Sequence, residues 1–332
     1  MPKFKKILIT GGAGFIGSNF VRYLLRKTKG EKQKIKIVNL DKLTYSGNLA
    51  NLKDIEKDER YKFVKGDICD RRCVSELAKG IDAIINFAAE SHVDRSIRDS
   101  REFIRTNVSG TQVLLDAAKE NGIRRFIHIS TDEVYGSIVK GHFNEDSMLA
   151  PNSPYAASKA AADLLVRSYF VTHNLPAIIT RSSNNFGPYQ YPEKVIPLFV
   201  TNALENKKVP LYADGSNVRE WLYVEDNCSA IDFILNFGKV GEIYNISSKN
   251  EMRNIDLTKM VLKILGKDEK LIKFVKDRPG HDKRYALTFR KLKELGWEPQ
   301  HKFKDALEAT VLWYKENVKW WKRLKKRQEK FW

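Results

Sequence analysis

Lys6-Ile7-Leu8-Ile9-Thr10-Gly11-Gly12-Ala13-Gly14-Phe15-Ile16-Gly17 decides the fold. Its first five residues form a short apolar, β-branched run ended by glycine, the pattern of a buried strand. From Phe15 to about Lys27, the residues Phe15, Phe20 and Leu24 fall on one face of a helix. Glycines between the two allow positive φ and let the backbone approach a pyrophosphate, which the helix N-terminus attracts. Such a loop is weak evidence alone. Here a second strand, Ile35 to Leu40, ends at Asp41, whose carboxylate can accept both hydroxyls of an adenosine ribose and would repel a 2′-phosphate. Strand, glycine loop, helix and acid together predict a dinucleotide site that takes NAD rather than NADP.

Further strands are expected at Tyr61–Val64, Ala83–Phe87, Phe126–Ser130 and Ala177–Thr180, with helices at 71–79, 101–121 and 154–173. Alternation of this kind implies an α/β chain built on a doubly wound parallel Rossmann sheet. From Asn184 the rhythm changes, because prolines 188, 192, 197 and 210 interrupt it. Residues 1–183 are therefore expected to form the NAD-binding domain. Residues 184–332 mainly form a smaller mixed α/β lobe that holds the substrate, with strand-like runs at 221–224 and 242–246 returning to the first sheet.

The 332 residues carry 59 Lys/Arg against 41 Asp/Glu, a net charge of +18. Seven of those basic residues lie in the last fourteen, Lys319 to Trp332, and the remaining excess is spread without a nucleic-acid motif. A nucleic-acid partner is not expected. Neither is a membrane partner, since no run of about 18 apolar residues exists. The start Met1-Pro2-Lys3-Phe4 lacks a signal-peptide core, which makes the cytoplasm the expected compartment. Cys69, Cys73 and Cys228 are too few for a disulfide framework, and the six histidines are scattered, so no metal site is read. At the far end Trp313, Trp320, Trp321 and Leu324 fit one face of a basic C-terminal helix, expected to pack on the body.

Tyr155 and Lys159 sit four residues apart on one helix face, behind the cap Ser153-Pro154. An ammonium there is expected to lower the phenol's pKa towards that of a useful base. Tyr23/Lys27 and Tyr61/Lys65 share the spacing. Position distinguishes Tyr155, which follows the strand ending in Ser130-Thr131, at the sheet edge where open α/β folds bind ligands.

The glycine loop, Asp41, Asp67-Ile68, Asn86-Phe87-Ala88-Ala89, Thr131 and Tyr155/Lys159 resemble the extended short-chain dehydrogenase/reductase family. Within it, Ala89-Glu90-Ser91-His92-Val93-Asp94-Arg95-Ser96, Ser130-Thr131-Asp132-Glu133-Val134-Tyr135-Gly136, Ser183-Asn184-Asn185-Phe186-Gly187-Pro188 and Asp277-Arg278-Pro279-Gly280-His281-Asp282 resemble the dTDP-glucose 4,6-dehydratases. The likeness runs from the first strand to about Tyr314. It implies NAD held by Gly11, Gly14, Phe15, Ile16, Gly17, Asp41, Lys42, Thr44, Asp67, Ile68, Ala88, Ala89, Ser91, Thr106, Tyr155, Lys159 and Asn185. It also implies a sugar nucleotide on Ser91, Thr131, Asn184, Lys194, Val195, Pro210, Tyr212, Arg219, Asn254, Arg278 and His281, with the two arginines suited to its diphosphate. Two departures from the family pattern are Glu220 in place of a common Asp and Phe186 in place of a common Tyr.

The acidic pair Asp132-Glu133 separates a dehydratase from related 4-epimerases. An epimerase only removes and returns a hydride at C4, whereas a dehydratase must also take the C5 proton and protonate the leaving C6 hydroxyl. The resemblance therefore implies that Tyr155 deprotonates the C4 hydroxyl, with Lys159 tuning it and Thr131 bonding the C4 oxygen. Glu133 would take the C5 proton, and Asp132 would protonate the C6 hydroxyl. The product would be a 4-keto-6-deoxy sugar nucleotide, a precursor of rhamnose-type deoxysugars, made by a homodimer joined through helices 101–121 and 154–173. Rival readings are a UDP-sugar 4-epimerase or decarboxylase on the same scaffold, and a non-catalytic NAD-binding protein.

Overall fold

The computed structural model describes residues 4–30 and 35–328, which excludes Met1–Lys3 and the last four residues of the basic tail. The first half runs β1 (Lys6–Thr10), α1 (Phe15–Lys27), β2 (Lys36–Asp41), β3 (Tyr61–Lys65), α2 (Arg71–Ala78), β4 (Ala83–Asn86) and α3 (Val93–Arg98). It continues through α4 (Arg101–Phe103) and α5 (Thr111–Glu120), joined by a π-helical stretch at Ile104–Gly110, to β5 (Arg125–Thr131), α6 (Pro154–His173) and β6 (Ala177–Ser182). The second half holds β7 (Asn184–Phe186), α7 (Val195–Leu204), β8 (Val209–Tyr212), β9 (Val218–Tyr223), α8 (Val224–Phe237), β10 (Ile243–Ile246), β11 (Glu251–Arg253), α9 (Asn254–Ile264), β12 (Ile272–Val275), α10 (Arg290–Glu294), α11 (Phe303–Glu316) and α12 (Val318–Gln328).

Seven strands form one sheet in the order β10-β6-β5-β4-β1-β2-β3, parallel throughout. Alternate side chains of each strand point to opposite faces, so both faces need cover. Ile7 and Ile9 of β1 pack with Phe20 and Leu24 of α1 and Ile231 of α8. Leu8 packs on the other face with Val74 of α2, Leu114 of α5 and Val166 of α6. A third core, around Phe186, Phe199, Trp221, Val311 and Tyr314, gathers a three-stranded sheet (β11-β9-β7) and helices α7, α9 and α11. Phe186 lies wholly buried there, against Trp221, Tyr223 and Phe303.

Two expectations need correction. The 242–246 run does join the large sheet, as β10 beside β6. The 221–224 run does not: it belongs to β9, which pairs with β7 and β11 because Trp221 fills the third core rather than the first two. The C-terminal aromatic stripe is also not one helix. Asn317 ends α11, its side chain bonding the Trp313 carbonyl, and α12 starts afresh. Trp321 and Leu324 are buried against the body, and no helix among the described residues is long and apolar enough to cross a membrane.

Candidate active site

The sheet's C-terminal edge carries the site. Gly11 has φ of +70°, and a Cβ on it would lie 2.6 Å from the Ala88 backbone nitrogen. A Cβ on Gly17 would come within 2.4 Å of the Gly11 carbonyl oxygen. The loop is thus a cradle pressed between β4 and α1, with no room for side chains. Gly14 caps α1 without a side-chain acceptor, and the first turn holds no acid, so its N–H groups remain open to an anion. Gly11→Ala is expected to cost about 2 kcal/mol or more, from backbone strain and overlap with Ala88, read as a lower urea midpoint.

Asp41 ends β2 nearly buried. Its carboxylate accepts from the backbone N–H of Ala13 (2.9 Å) and of Leu43 (2.7 Å), which counter the upward push of burial on its pKa. Asp67 ends the next crossover. Bonds from Cys69 N, Arg105 and Lys42 overcome its burial and hold it down at about 2. Buried Ser183 Oγ, Asn184 Oδ1 and Asn185 Oδ1 have no hydrogen-bond partner among the described residues. A glycine cradle, a ribose acid and unsatisfied polar atoms fit a bound dinucleotide.

Every residue expected to hold NAD lines this one cleft, and so do Ser91, Thr131, Asn184 and Lys194 from the substrate set. Ser153 caps α6 through its bond from Ala156 N, and Pro154 starts the helix. Tyr155 then hangs its backbone N–H on Ser96 Oγ at 3.1 Å. Beyond β5, Thr131 caps a short 3-10 turn over Asp132–Tyr135, accepting from Glu133 N at 3.3 Å and donating to Asp132 Oδ1 at 3.2 Å. That turn places both acids beside Tyr155, not on the open surface.

Their environments differ. Asp132 is buried, and burial together with the charges of Glu133 and Glu220 holds its carboxyl well above the ordinary range. Burial also raises Glu133, but Arg278, Lys194 and Arg219 all pull it back. Both carboxyls are thus raised, but the three cations offset part of the rise at Glu133, a difference set by surroundings and not by residue type.

The expectation for the Tyr–Lys pair is corrected. Burial dominates, and Glu133 adds to it, so the Tyr155 phenol lies above its usual value. Lys159 is pushed down to about 8, chiefly by burial, with Asp163 opposing. Its ammonium donates to the Ile129 carbonyl at 2.6 Å and lies 3.4 Å from His128 Nε2. Residue spacing alone could not weigh desolvation against a neighbouring charge.

The other expected substrate residues are not among those that line this cleft, although Arg278 and Arg219 lie near enough to act on Glu133. Val195 opens α7 directly after Lys194, while Pro210 and Tyr212 lie on β8. Tyr212 OH reaches Asp94 at 3.5 Å, and Arg278 Nη1 approaches the same carboxylate at 3.6 Å. His281 sits edge-on to Tyr212, 5.6 Å between ring centroids. Arg219 is buried under the Tyr285 ring at 4.4 Å and donates to the Asp282 carbonyl, and Asn254 begins α9 with its Oδ1 unpaired among the described residues. Glu220 explains itself: wholly buried, it accepts from Lys249 N (2.7 Å), Leu287 N (2.9 Å) and Ser247 Oγ.

Sequence reading missed several groups. Glu193 has a side chain only 2% exposed and pairs with Arg95 at 3.2 Å, close to His92. Its one sequence signal is adjacency to Lys194. Asn107, in the π-helical stretch, bridges the Glu90 backbone and Ser158 Oγ. Glu90 also lines the cleft, raised to about 7 by burial against the pull of Arg95. The folded protein therefore binds an extra proton there between about pH 4.5 and 7, so this contribution to stability falls as pH rises through that window. Glu90→Gln, without NAD, is expected to flatten the fall and be more stable above pH 7 by up to about 3 kcal/mol, measured by denaturant melts across pH.

A parallel sheet with a glycine cradle, a ribose acid and a Thr–Tyr–Lys set at its C-terminal edge is the constellation of extended short-chain dehydrogenase/reductases. The chain belongs to the GDP-mannose 4,6-dehydratase family, whose model matches residues 8–310. It is 51% identical over 325 residues to a dTDP-glucose 4,6-dehydratase of Streptomyces niveus, covering 98% of this chain and 97% of that one. It is 55% identical over 308 residues to the low-salt glycan biosynthesis protein Agl12 of Haloferax volcanii, covering 93% and 98%. The crystal structure of DesIV, a dTDP-glucose 4,6-dehydratase from Streptomyces venezuelae with NAD and TYD bound, superposes with a TM-score of 0.94 at 52% identity, over 96% of this chain and 99% of that chain.

Proposed function

We infer that this protein is an NAD-dependent dTDP-glucose 4,6-dehydratase, a hydro-lyase yielding dTDP-4-keto-6-deoxyglucose for deoxysugar synthesis. The observation that carries the reading is the acid pair beside Tyr155. Burial holds one carboxyl well above the ordinary range, and three cations offset part of the same upward push on the other. A hydride shuttle at C4 has no use for two such acids; elimination of water across C5 and C6 needs both.

When bound, the nicotinamide supplies the hydride acceptor and donor. Gly11, Gly14 and Gly17 receive its pyrophosphate, Asp41 its adenosine ribose, and Lys159 its nicotinamide ribose. Tyr155 takes the proton of the C4 hydroxyl, with Thr131 bonded to the same oxygen. Glu133 takes the C5 proton once the C4 carbonyl has acidified it. Asp132 delivers its proton to the C6 hydroxyl, which leaves as water; return of the hydride to C6 and of a proton to C5 then completes the 6-deoxy product. Lys194, Arg219 and Arg278 balance the diphosphate. Residues 1–183 with β10 mainly serve the cofactor, and the remainder mainly serves the sugar nucleotide. The working form is a cytoplasmic homodimer joined through α4–α5 and α6, which sedimentation would test.

The decisive experiment incubates the purified protein with NAD and dTDP-glucose and follows the sugar by NMR. A C6 methyl group and a C4 carbonyl are expected. A retained C6 hydroxyl with inverted C4 would make the chain an epimerase, and an unchanged sugar would remove the enzymatic reading. UDP-glucose, run in parallel, is expected to react more slowly.

A further inference from the structure

We propose that Trp320, on the C-terminal helix, is a positioning residue that braces the glycine loop against the cleft's outer edge and so slows escape of NAD. The inference rests on the reading of the cleft as an NAD site. Trp320 Nε1 donates to Asn51 Oδ1 at 2.9 Å, and the Asn51 Nδ2 donates to the Ala13 carbonyl at 2.9 Å. Ala13 is the middle of the glycine loop, and its N–H is already tied to Asp41. Asn51 itself is only 1% exposed. One buried amide therefore links a helix some 270 residues further along the chain to the pyrophosphate cradle.

The same indole also meets a second part of the cleft lining. Tyr189, which lines it, is a non-glycine residue at φ of +68°, a conformation that persists only where its surroundings enforce it. Its ring packs on Trp313 (4.6 Å) and Trp320 (6.0 Å), and the Arg22 guanidinium lies 4.1 Å above it. Arg22 in turn donates to the Asn51 carbonyl. Tyr314 OH bonds the carbonyl of Gln190, the next residue of the cleft wall, at 2.5 Å. Loop and wall are thus held by one cluster, in which Trp320 from α12 and Arg22 from α1 each touch both Asn51 and Tyr189 through their side chains.

Removing the indole N–H leaves the buried Asn51 oxygen without its donor, an effect of the size of one hydrogen bond, or about 3- to 10-fold in an equilibrium or rate. Trp320→Phe keeps a ring against Tyr189 while deleting that bond. NAD release from the holoenzyme is followed after dilution into NAD-free buffer, by the nucleotide retained on the filtered protein. Release is expected to quicken about 3- to 10-fold, and the apparent KM for NAD to rise with it, while kcat at saturating NAD holds. Trp321→Phe, in the same helix as Trp320, is the comparison, because it loses a bond to the Tyr314 carbonyl of α11 but does not reach Asn51. It is expected to lower the melting temperature and leave NAD release as in wild type. Asn51→Ala should quicken release as Trp320→Phe does, with no further gain in the double variant, and it serves if Trp320→Phe does not fold. Wild-type release from Trp320→Phe, equal quickening in Trp321→Phe, or additive effects in the double variant would each overturn the proposal. A wild-type protein that takes up no NAD would overturn the cofactor reading beneath it.

Discussion

Glu133→Gln is expected to lower turnover of dTDP-glucose by about 10²- to 10⁴-fold, the range for loss of a general base. The change is isosteric, so the turn capped by Thr131 should stay intact. What is lost is the one carboxylate in the cleft that Arg278, Lys194 and Arg219 together favour in its charged form. C4 oxidation does not need that carboxylate. The variant should therefore accumulate reduced nicotinamide, visible by its near-ultraviolet absorbance, and fail to exchange the C5 hydrogen in D₂O. Asp132→Asn should part from it, keeping C5 exchange while water loss slows, since only proton delivery to C6 is removed. If both variants exchange C5 alike, the division of labour is wrong.

Tyr155→Phe should fail one step earlier. Without the phenol the base assigned to the C4 hydroxyl proton is gone, and oxidation should fall by about 10²- to 10⁴-fold with no reduced nicotinamide formed. Burial and the Glu133 charge raise the Tyr155 phenol, so the wild-type step requires the charge of a loaded cleft to bring it down. Lys159, near 8, loses its proton as pH rises through that value, which removes a cation from beside the site. Oxidation in wild type should consequently decline on the alkaline side. Single-turnover absorbance across pH checks both points, and a Tyr155→Phe enzyme that still oxidises C4 would remove this residue from the base role.

Much of the fold was legible because its signals are local. The β1 run, the glycine loop and the α1 face lie within about twenty residues, and period-2 and period-3.6 patterns are set by neighbours in the chain. Helix α6 starts and ends as its Ser153-Pro154 cap and period predict. The break at Asn317 was not legible, because the apolar positions on either side keep helical phase across it. Strand β9 was misassigned for a related reason: an apolar run states that it will be buried but not in which core.

What the sequence by itself determined is the chemistry on offer: a dinucleotide cradle, an acid for its ribose, a Tyr/Lys pair and the adjacent acids after β5. What only the tertiary structure decided is how those groups are charged and braced. Asp132 and Glu133 are neighbours of nearly identical chemistry, yet burial with the charges of Glu133 and Glu220 holds the first well up, while three cations from distant segments offset part of the rise at the second. Trp320 reaches the glycine loop only because α12 folds back across Asn51. Desolvation and Coulomb forces act through space, so a residue's protonation depends on which segments the topology brings within a few ångströms, and the order of residues along the chain does not contain that distance.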